Sequence, residues 1–266
     1  MFITELIIIL GAILLVCLIG FKKYVWFISL GYGFSISIVG VMLLILFRDN
    51  LQFGYVLGSL ILICYGLRLS GFLAIRELKS STYNTKMKKE ISDGSNMTFP
   101  LKVMLWISCA LLYLFMTSPI IFRFINNSGV DSCYYIGLFI TVLGILLEAL
   151  SDLEKSMAKK KNPNRFVDSG LFKIVRCPNY LGELIIWLGV FISGITTLSG
   201  VFQWIVALIG FIGIIYIMFS GARRLELRQD RTYGDNSEYQ KYVKTTPILI
   251  PFIPLYSVKK YKWLVG

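Results

Sequence analysis

The chain has 266 residues, 56% of them hydrophobic, and carries 27 Lys and Arg against 15 Asp and Glu, a formal charge of +12. Its mean hydropathy of +0.71 excludes an ordinary soluble domain, in which about 45–50% of residues are apolar, and predicts an all-α integral membrane protein. There is no histidine, and the five cysteines form no CxxC pair. A Ser/His/Asp triad, a Cys/His nucleophile, a His-ligated haem, a His-based metal site and a disulfide framework are therefore not expected. Carboxylate, Tyr, Lys and Arg chemistry remains, or chemistry brought by an organic cofactor.

Seven segments are apolar over a bilayer-crossing length, near 3–21, 24–47, 51–70, 100–122, 132–150, 179–197 and 199–221. The first carries Glu5 and no Lys or Arg before its apolar run, so it reads as a retained span and not as a signal peptide. Seven spans put the termini on opposite sides. With the N-terminus outside, 25 of the 27 Lys and Arg fall on the cytoplasmic face, and only Arg48 and Arg123 fall on the other. The predicted architecture is a polytopic helical bundle of about seven transmembrane helices with the N-terminus outside and a cytoplasmic C-terminus. Topology accounts for the positive charge, so no nucleic-acid partner is expected; membrane lipids are. Residues 1–266 read as one membrane domain, with three spans and a loop over 1–99 and the chemistry-bearing region over 100–266.

In the first half, Gly31, Tyr32, Gly33 and Phe34 lie in span 2, and Tyr65, Gly66, Leu67, Arg68 and Leu69 end span 3. Helix-packing glycines and a snorkelling Arg are one reading of them. Residues 76–99 are polar and Ser/Lys-rich, as in a flexible cytoplasmic connector. Span 5 ends differently. Glu148, Asp152 and Lys155 recur at offsets of four and three and form one polar stripe, either an ion-pair stripe on a solvated helix or part of a site. Lys159, Lys160 and Lys161 come next, Pro163 breaks the helix, and Arg165, Asp168 and Gly170 lead back toward the membrane. Two carboxylates beside these bases suit a nucleotide with phosphates at the cytoplasmic rim. No GxGxxG motif follows a strand, so a dinucleotide would not bind through a Rossmann domain.

The stretch 170–189, GLFKIVRCPNYLGELIIWLG, puts a polar turn in front of an apolar helix. Pro178 suits a first helical turn. Arg176, Asn179, Glu183 and Trp187 then share one face, while Gly182 and Gly189 allow another helix to come close. A carboxylate inside such a helix costs about 2.5–3.5 kcal/mol if it faces lipid. Glu183 is thus a site candidate, with a structural bond to Arg176 or to another helix as the plainer reading. After span 7 the tail places Glu226 between Arg224 and Arg228 on a short helix. Pro247, Pro251 and Pro254 forbid a regular helix through ILIPFIP, which is expected to lie along the interface. A basic tail on anionic lipid is the simpler reading of that tail.

Gly170, Leu171, Phe172, Arg176, Pro178, Asn179, Tyr180, Gly182 and Glu183 resemble the C-terminal signature of the membrane-embedded steroid 5-alpha-reductase family, closest to its bacterial DUF1295 branch. The likeness covers about 140–254, and Cys177 stands where the family has His. The resemblance implies NADPH as cofactor and reduction of a C=C bond in a lipid-like enone of steroid, sterol or isoprenoid type. It implies that Asn179 and Glu183 hold the nicotinamide amide, with Tyr180 beside them, and that Glu183 and Tyr180 are catalytic. Glu148, Asp152, Lys159, Arg165 and Arg176 would serve the adenosine and phosphates, and Arg223 and Glu226 would close the site. In steroid-acting members a Glu and a Tyr of the N-terminal half polarise the ketone. Here that half has only Glu5, Glu77 and Glu90, which leaves Tyr32 and Tyr65 as candidate donors. An S-adenosylmethionine-dependent methyltransferase of the isoprenylcysteine or phospholipid type shares part of the signature and is the alternative. A non-enzymatic lipid-binding protein is a third reading. A monomer or weak oligomer is expected.

Overall fold

The computed structural model describes residues 2–79 and 97–265. Among them the regular structure is entirely helical: α1 (Phe2–Cys17), α2 (Val25–Ile28), α3 (Leu30–Leu46), α4 (Phe53–Lys79), α5 (Phe99–Ile125), α6 (Ser132–Lys161), α7 (Pro178–Gly194), α8 (Gly200–Tyr233) and α9 (Ser237–Thr245). Among the described residues five stretches are long and apolar enough to cross a membrane: Ile3–Phe21, Phe53–Ile75, Phe99–Ile125, Ser132–Lys161 and Gly200–Tyr233. The chain is accordingly a multi-pass membrane protein. The remaining two predicted spans correspond to α3 and α7, each of 17 residues. At the helical rise such a helix is about 26 Å long, just under the hydrocarbon thickness.

Three expectations are corrected. The segment 24–47 is broken at Ser29, whose backbone leaves the helical region at φ −119°, ψ −85°. Its hydroxyl donates to the Val25 carbonyl at 2.9 Å, a local bond that competes with the helix ladder. The connector predicted from residue 76 begins later, because α4 continues to Lys79; its portion 80–96 lies outside the described residues. Glu226 does not sit on a separate short helix, since α8 runs unbroken for 34 residues from Gly200 to Tyr233.

The chain divides into two compact units. Met1–Leu138 with Val190–Gly210 form one, and Phe139–Gly189 with Phe211–Gly266 form the other. In the first unit α3 lies against α4 through small residues. A Cβ on Gly33 would come within 2.7 Å of the Gly66 carbonyl, and one on Gly40 within 2.6 Å of the Ser59 carbonyl. That contact leaves no room for side chains, and Ser37 and Ser70 donate across it to Ile63 and Leu30. Tyr32 and Tyr65 meet there, their hydroxyls 3.0 Å apart.

One end of this unit is closed by Arg123, which is 0% exposed. Its Nε donates to Ser193 O, Nη1 to Gly129 O and Asp131, and Nη2 to Asp131 and Thr196. The guanidinium also lies 5.0 Å from the Tyr134 ring centroid, a favourable cation–π geometry. Asn126 bonds Thr197 O and Gln203 beside it.

In the second unit α6 crosses α7 at two glycines. A Cβ on Gly144 would meet Ile186 N at 2.6 Å, and one on Gly182 would meet Glu148 N at 2.8 Å. The core gathers Cys177, Ala222, Leu225, Ile248, Leu249, Val258 and Leu264. Asn236 caps α9 by accepting from Tyr239 N at 3.1 Å, which satisfies one of the orphan donors of a helix start. The Pro-rich tail is irregular, as its prolines require. Its backbone pairs with the approach to α7 through Arg176 N to Pro247 O, 2.9 Å, and Cys177 N to Ile248 O, 3.0 Å. Between Pro251 and Pro254, Phe252 adopts a left-handed φ of +64° and is 98% exposed. A strained, bare aromatic at a turn tip is unusual for any L-residue.

Candidate functional site

The ten residues to which the sequence assigns a cofactor-binding or catalytic role, Tyr32 and Tyr65 aside, belong to the second unit. The structure draws them into two groups.

The inner group surrounds the start of α7. Pro178 opens the helix as anticipated, so Asn179, Tyr180 and Glu183 occupy its first two turns. Glu183 is buried and accepts from Trp187 Nε1 at 3.0 Å. The offset of four that placed these residues on one face thus becomes a hydrogen bond, and Trp187 is a positioning residue. The Tyr180 ring rests on α8, where a Cβ on Gly221 would be only 3.4 Å away. Asn179 Oδ1 is buried with no hydrogen-bond partner among the described residues. Glu148 is buried as well, its backbone against Gly182. Gly144, the glycine opposite, was not singled out; a small residue four positions before Glu148 was the available signal.

Arg176 precedes α7 and is 3% exposed. Its Nη2 donates to Glu226 Oε1 at 2.9 Å and to the Tyr256 carbonyl, while Nε and Nη1 are buried without an acceptor among the described residues. Glu226, 1% exposed, also accepts from Val258 N at 3.0 Å. Two buried opposite charges are thus paired, with two donors of the cation left over. Arg223 turns to the tail, donating to Lys259 O and Leu264 O at 3.2 Å each.

Cys177 lies in this group and is 2% exposed. Burial pushes its thiol up to about 12, against the pull of the Arg176 and Lys155 charges. It is neutral at physiological pH and too weak an acid to replace an imidazole in proton transfer. Burial likewise raises Tyr242, whose hydroxyl donates to Phe172 O at 2.7 Å.

The outer group is the end of α6 with the turn after it. Lys159 Nζ donates to the carbonyls of Pro163 (3.3 Å) and Arg165 (2.5 Å) and to Tyr233 Oη (2.9 Å). It therefore ties the end of its own helix to the turn beyond it. Arg165 pairs with Asp168 at 2.9 Å and with Glu238 at 2.6 Å. Asp152 is half-buried on the same helix. A cleft of about 390 Å³ opens here, lined among others by Lys161, Asn162, Arg165 and Asp168. Lys159 and Arg165, two of the predicted phosphate bases of the rim, already have protein partners, which the count of charges did not foresee.

In the first unit Tyr32 and Tyr65 are brought together, beside the Tyr113 ring at 5.2 Å from Tyr32. Among the described residues no group of three or more Cys, Asp and Glu is arranged to hold a metal ion.

A model of one family, described as a protein of unknown function (DUF1295), matches residues 17–246. Two characterised proteins are similar over shorter stretches. The steroid 5-alpha-reductase DET2 of Arabidopsis thaliana is 27% identical over 123 residues, 45% of this chain and 42% of that protein. The very-long-chain enoyl-CoA reductase of Dictyostelium discoideum is 31% identical over 121 residues, 45% of this chain and 36% of that protein. The matches thus span less than half the length of either relative. No solved structure matches the chain.

Proposed function

Because this chain belongs to the DUF1295 family, we propose that it is an NADPH-dependent membrane reductase of the C=C bond in a lipid-like enone. The names of both relatives, a steroid reductase and an enoyl-CoA reductase, support the reaction class. The observation that carries the reading is the inner group: Asn179 Oδ1 and two nitrogens of Arg176 are buried with no partner among the described residues. An orphaned acceptor beside orphaned cationic donors fits a carboxamide and a phosphate of a dinucleotide, since native interiors rarely leave such atoms unused.

When bound, NADPH supplies a hydride for the β-carbon of the enone. Asn179 would hold the amide end, with Glu183, fixed by Trp187, as the second residue for the same group. Arg176, its Nε and Nη1 unused and its plane fixed by Glu226, would hold a phosphate. The cleft at Arg165 and Asp168 would receive the adenosine, and Glu148, Asp152 and Lys159 of α6 are the further residues assigned to it. Arg223 seats the tail. A hydroxyl would polarise the substrate carbonyl, and the saturated product gains one proton; Tyr180, on the first turn of α7, is the candidate phenol of this unit. Seven spans with the N-terminus outside and this site cytoplasmic agree with the distribution of Lys and Arg. The partners are the lipid-like substrate and the bilayer.

The test is thermal stability in detergent with NADPH, NADH, S-adenosylmethionine or buffer. At about 100 times its dissociation constant a ligand stabilises by roughly 2.7 kcal/mol. Stabilisation by NADPH that Asn179→Ala and Glu183→Ala both abolish is the expected result. Stabilisation by S-adenosylmethionine alone would replace the reading with methyl transfer, and none by any ligand would leave a protein without this cofactor.

A further inference from the structure

The match to the family covers residues 17–246, yet much of the inner group is held by residues beyond that stretch. Residues 255–265 run along α8 and are tied to it repeatedly. Val258 N bonds Glu226, and Lys259 Nζ pairs with Asp230 at 2.5 Å. Arg223 binds the carbonyls of Lys259 and Leu264. Tyr216 Oη donates to Trp263 O at 2.9 Å and accepts from Val265 N at 3.3 Å, and the rings of Tyr216 and Trp263 stack. Val258 and Leu264 insert into the core beside Cys177. The Tyr256 carbonyl and Glu226 share one nitrogen of Arg176.

The segment is thus a strap with two apolar pegs and a polar latch. Pro251, the left-handed Phe252 and Pro254 stiffen its near end. The contacts along it are mostly single hydrogen bonds to half-buried or exposed partners, and segments held in this way open locally more readily than the core. The latch is the cation proposed to hold a phosphate. A guanidinium fixed by the strap is already oriented for an anion, and an anion on its free N–H groups orders it for the strap. Two ligands that order the same group favour one another.

We propose that residues 255–265 form a strap that covers Cys177, exchanges between seated and released states, and is seated by an anionic ligand on Arg176. The coupling to NADPH rests on the function proposed above; the strap itself does not.

Cys177 is the reporter, in a protein whose other four cysteines are replaced by alanine. Its alkylation by N-ethylmaleimide is followed by mass spectrometry without ligand and with NADPH. Tyr216→Phe, which keeps the stacking and removes both hydrogen bonds, is expected to speed alkylation about tenfold. A chain ending at residue 254 is expected to react faster still. Equal rates in parent, Tyr216→Phe and truncated protein would overturn the strap. With the parent protein, NADPH is expected to slow alkylation, and the truncated protein should lose that protection. Protection that persists without the strap, or NADPH that stabilises the protein while leaving the rate unchanged, would overturn the coupling and leave the proposed cofactor standing. NADPH that does not bind would remove the coupling and the proposed function together, with the strap still decided by the ligand-free rates.

Discussion

Among the described residues two arginines are buried, one in each unit, and they are used differently. Arg123 is wholly engaged: all three of its nitrogens donate to Ser193, Gly129, Asp131 or Thr196, and its face covers the Tyr134 ring. Arg176 is equally hidden but engages one nitrogen of three. Desolvating a guanidinium is costly, and a fold that needs it only as a brace satisfies it completely. The first is a closed structural knot. The second has the unfinished form of a binding group, which is the physical ground for placing the ligand in the second unit.

The strongest way to break the contrast is to remove the knot. Arg123→Met orphans the carbonyls of Ser193 and Gly129 together and is expected to cost about 3–5 kcal/mol, measured as the fraction folded in denaturant, with no ligand restoring it. Next comes the latch. Glu226→Gln leaves the Arg176 charge buried and unpaired, for about 3 kcal/mol. Adding Arg176→Met is expected to recover part of that loss, because two neutral side chains replace two buried charges, while any stabilisation by NADPH disappears. If the double variant still responds to NADPH, Arg176 is a brace like Arg123. Cys177→His is expected to cost about 1–3 kcal/mol through overpacking of a filled core, read from the same denaturation curve.

The smallest expected effect is at the edge of the knot. Burial raises Asp131, but the Thr196 hydroxyl, the Tyr134 amide and Arg123 outweigh it and hold the carboxyl below its ordinary value of 3.8. A lowered folded value means that the contribution is present above the ordinary value and is lost as the pH falls through the lower one. Stability should therefore decline slightly more steeply in the parent than in Asp131→Asn below about pH 4. The carboxylate is 41% exposed, so solvent keeps the difference small.

What could be read from the sequence was what is local. Long apolar runs located the helices, the offset of four joined Glu183 to Trp187, Pro178 marked a helix start, and Gly182 marked a close crossing. Pairings across the chain could not be read in this way. Arg176 meets Glu226 far along the chain, and no periodicity links them. Lys159 and Arg165 look like a phosphate rim when charges are counted, yet a helix cap and two carboxylates use them first. The break at Ser29 depends on one hydroxyl finding one carbonyl, a choice that composition does not encode.

The crossing of α6 and α7 bears on how this unit can move. At Gly144 and Gly182 main chain meets main chain, with almost no side-chain atoms between to compress or rotate. Such a joint has almost no mechanical play: sliding one helix along the other by a fraction of a turn would drive backbone into backbone. Glu148 and Glu183 therefore ride on a stiff chassis. Compliance is left to the parts without such joints, the turn after α6 and the C-terminal strap, and a ligand arriving in this unit must make its room there.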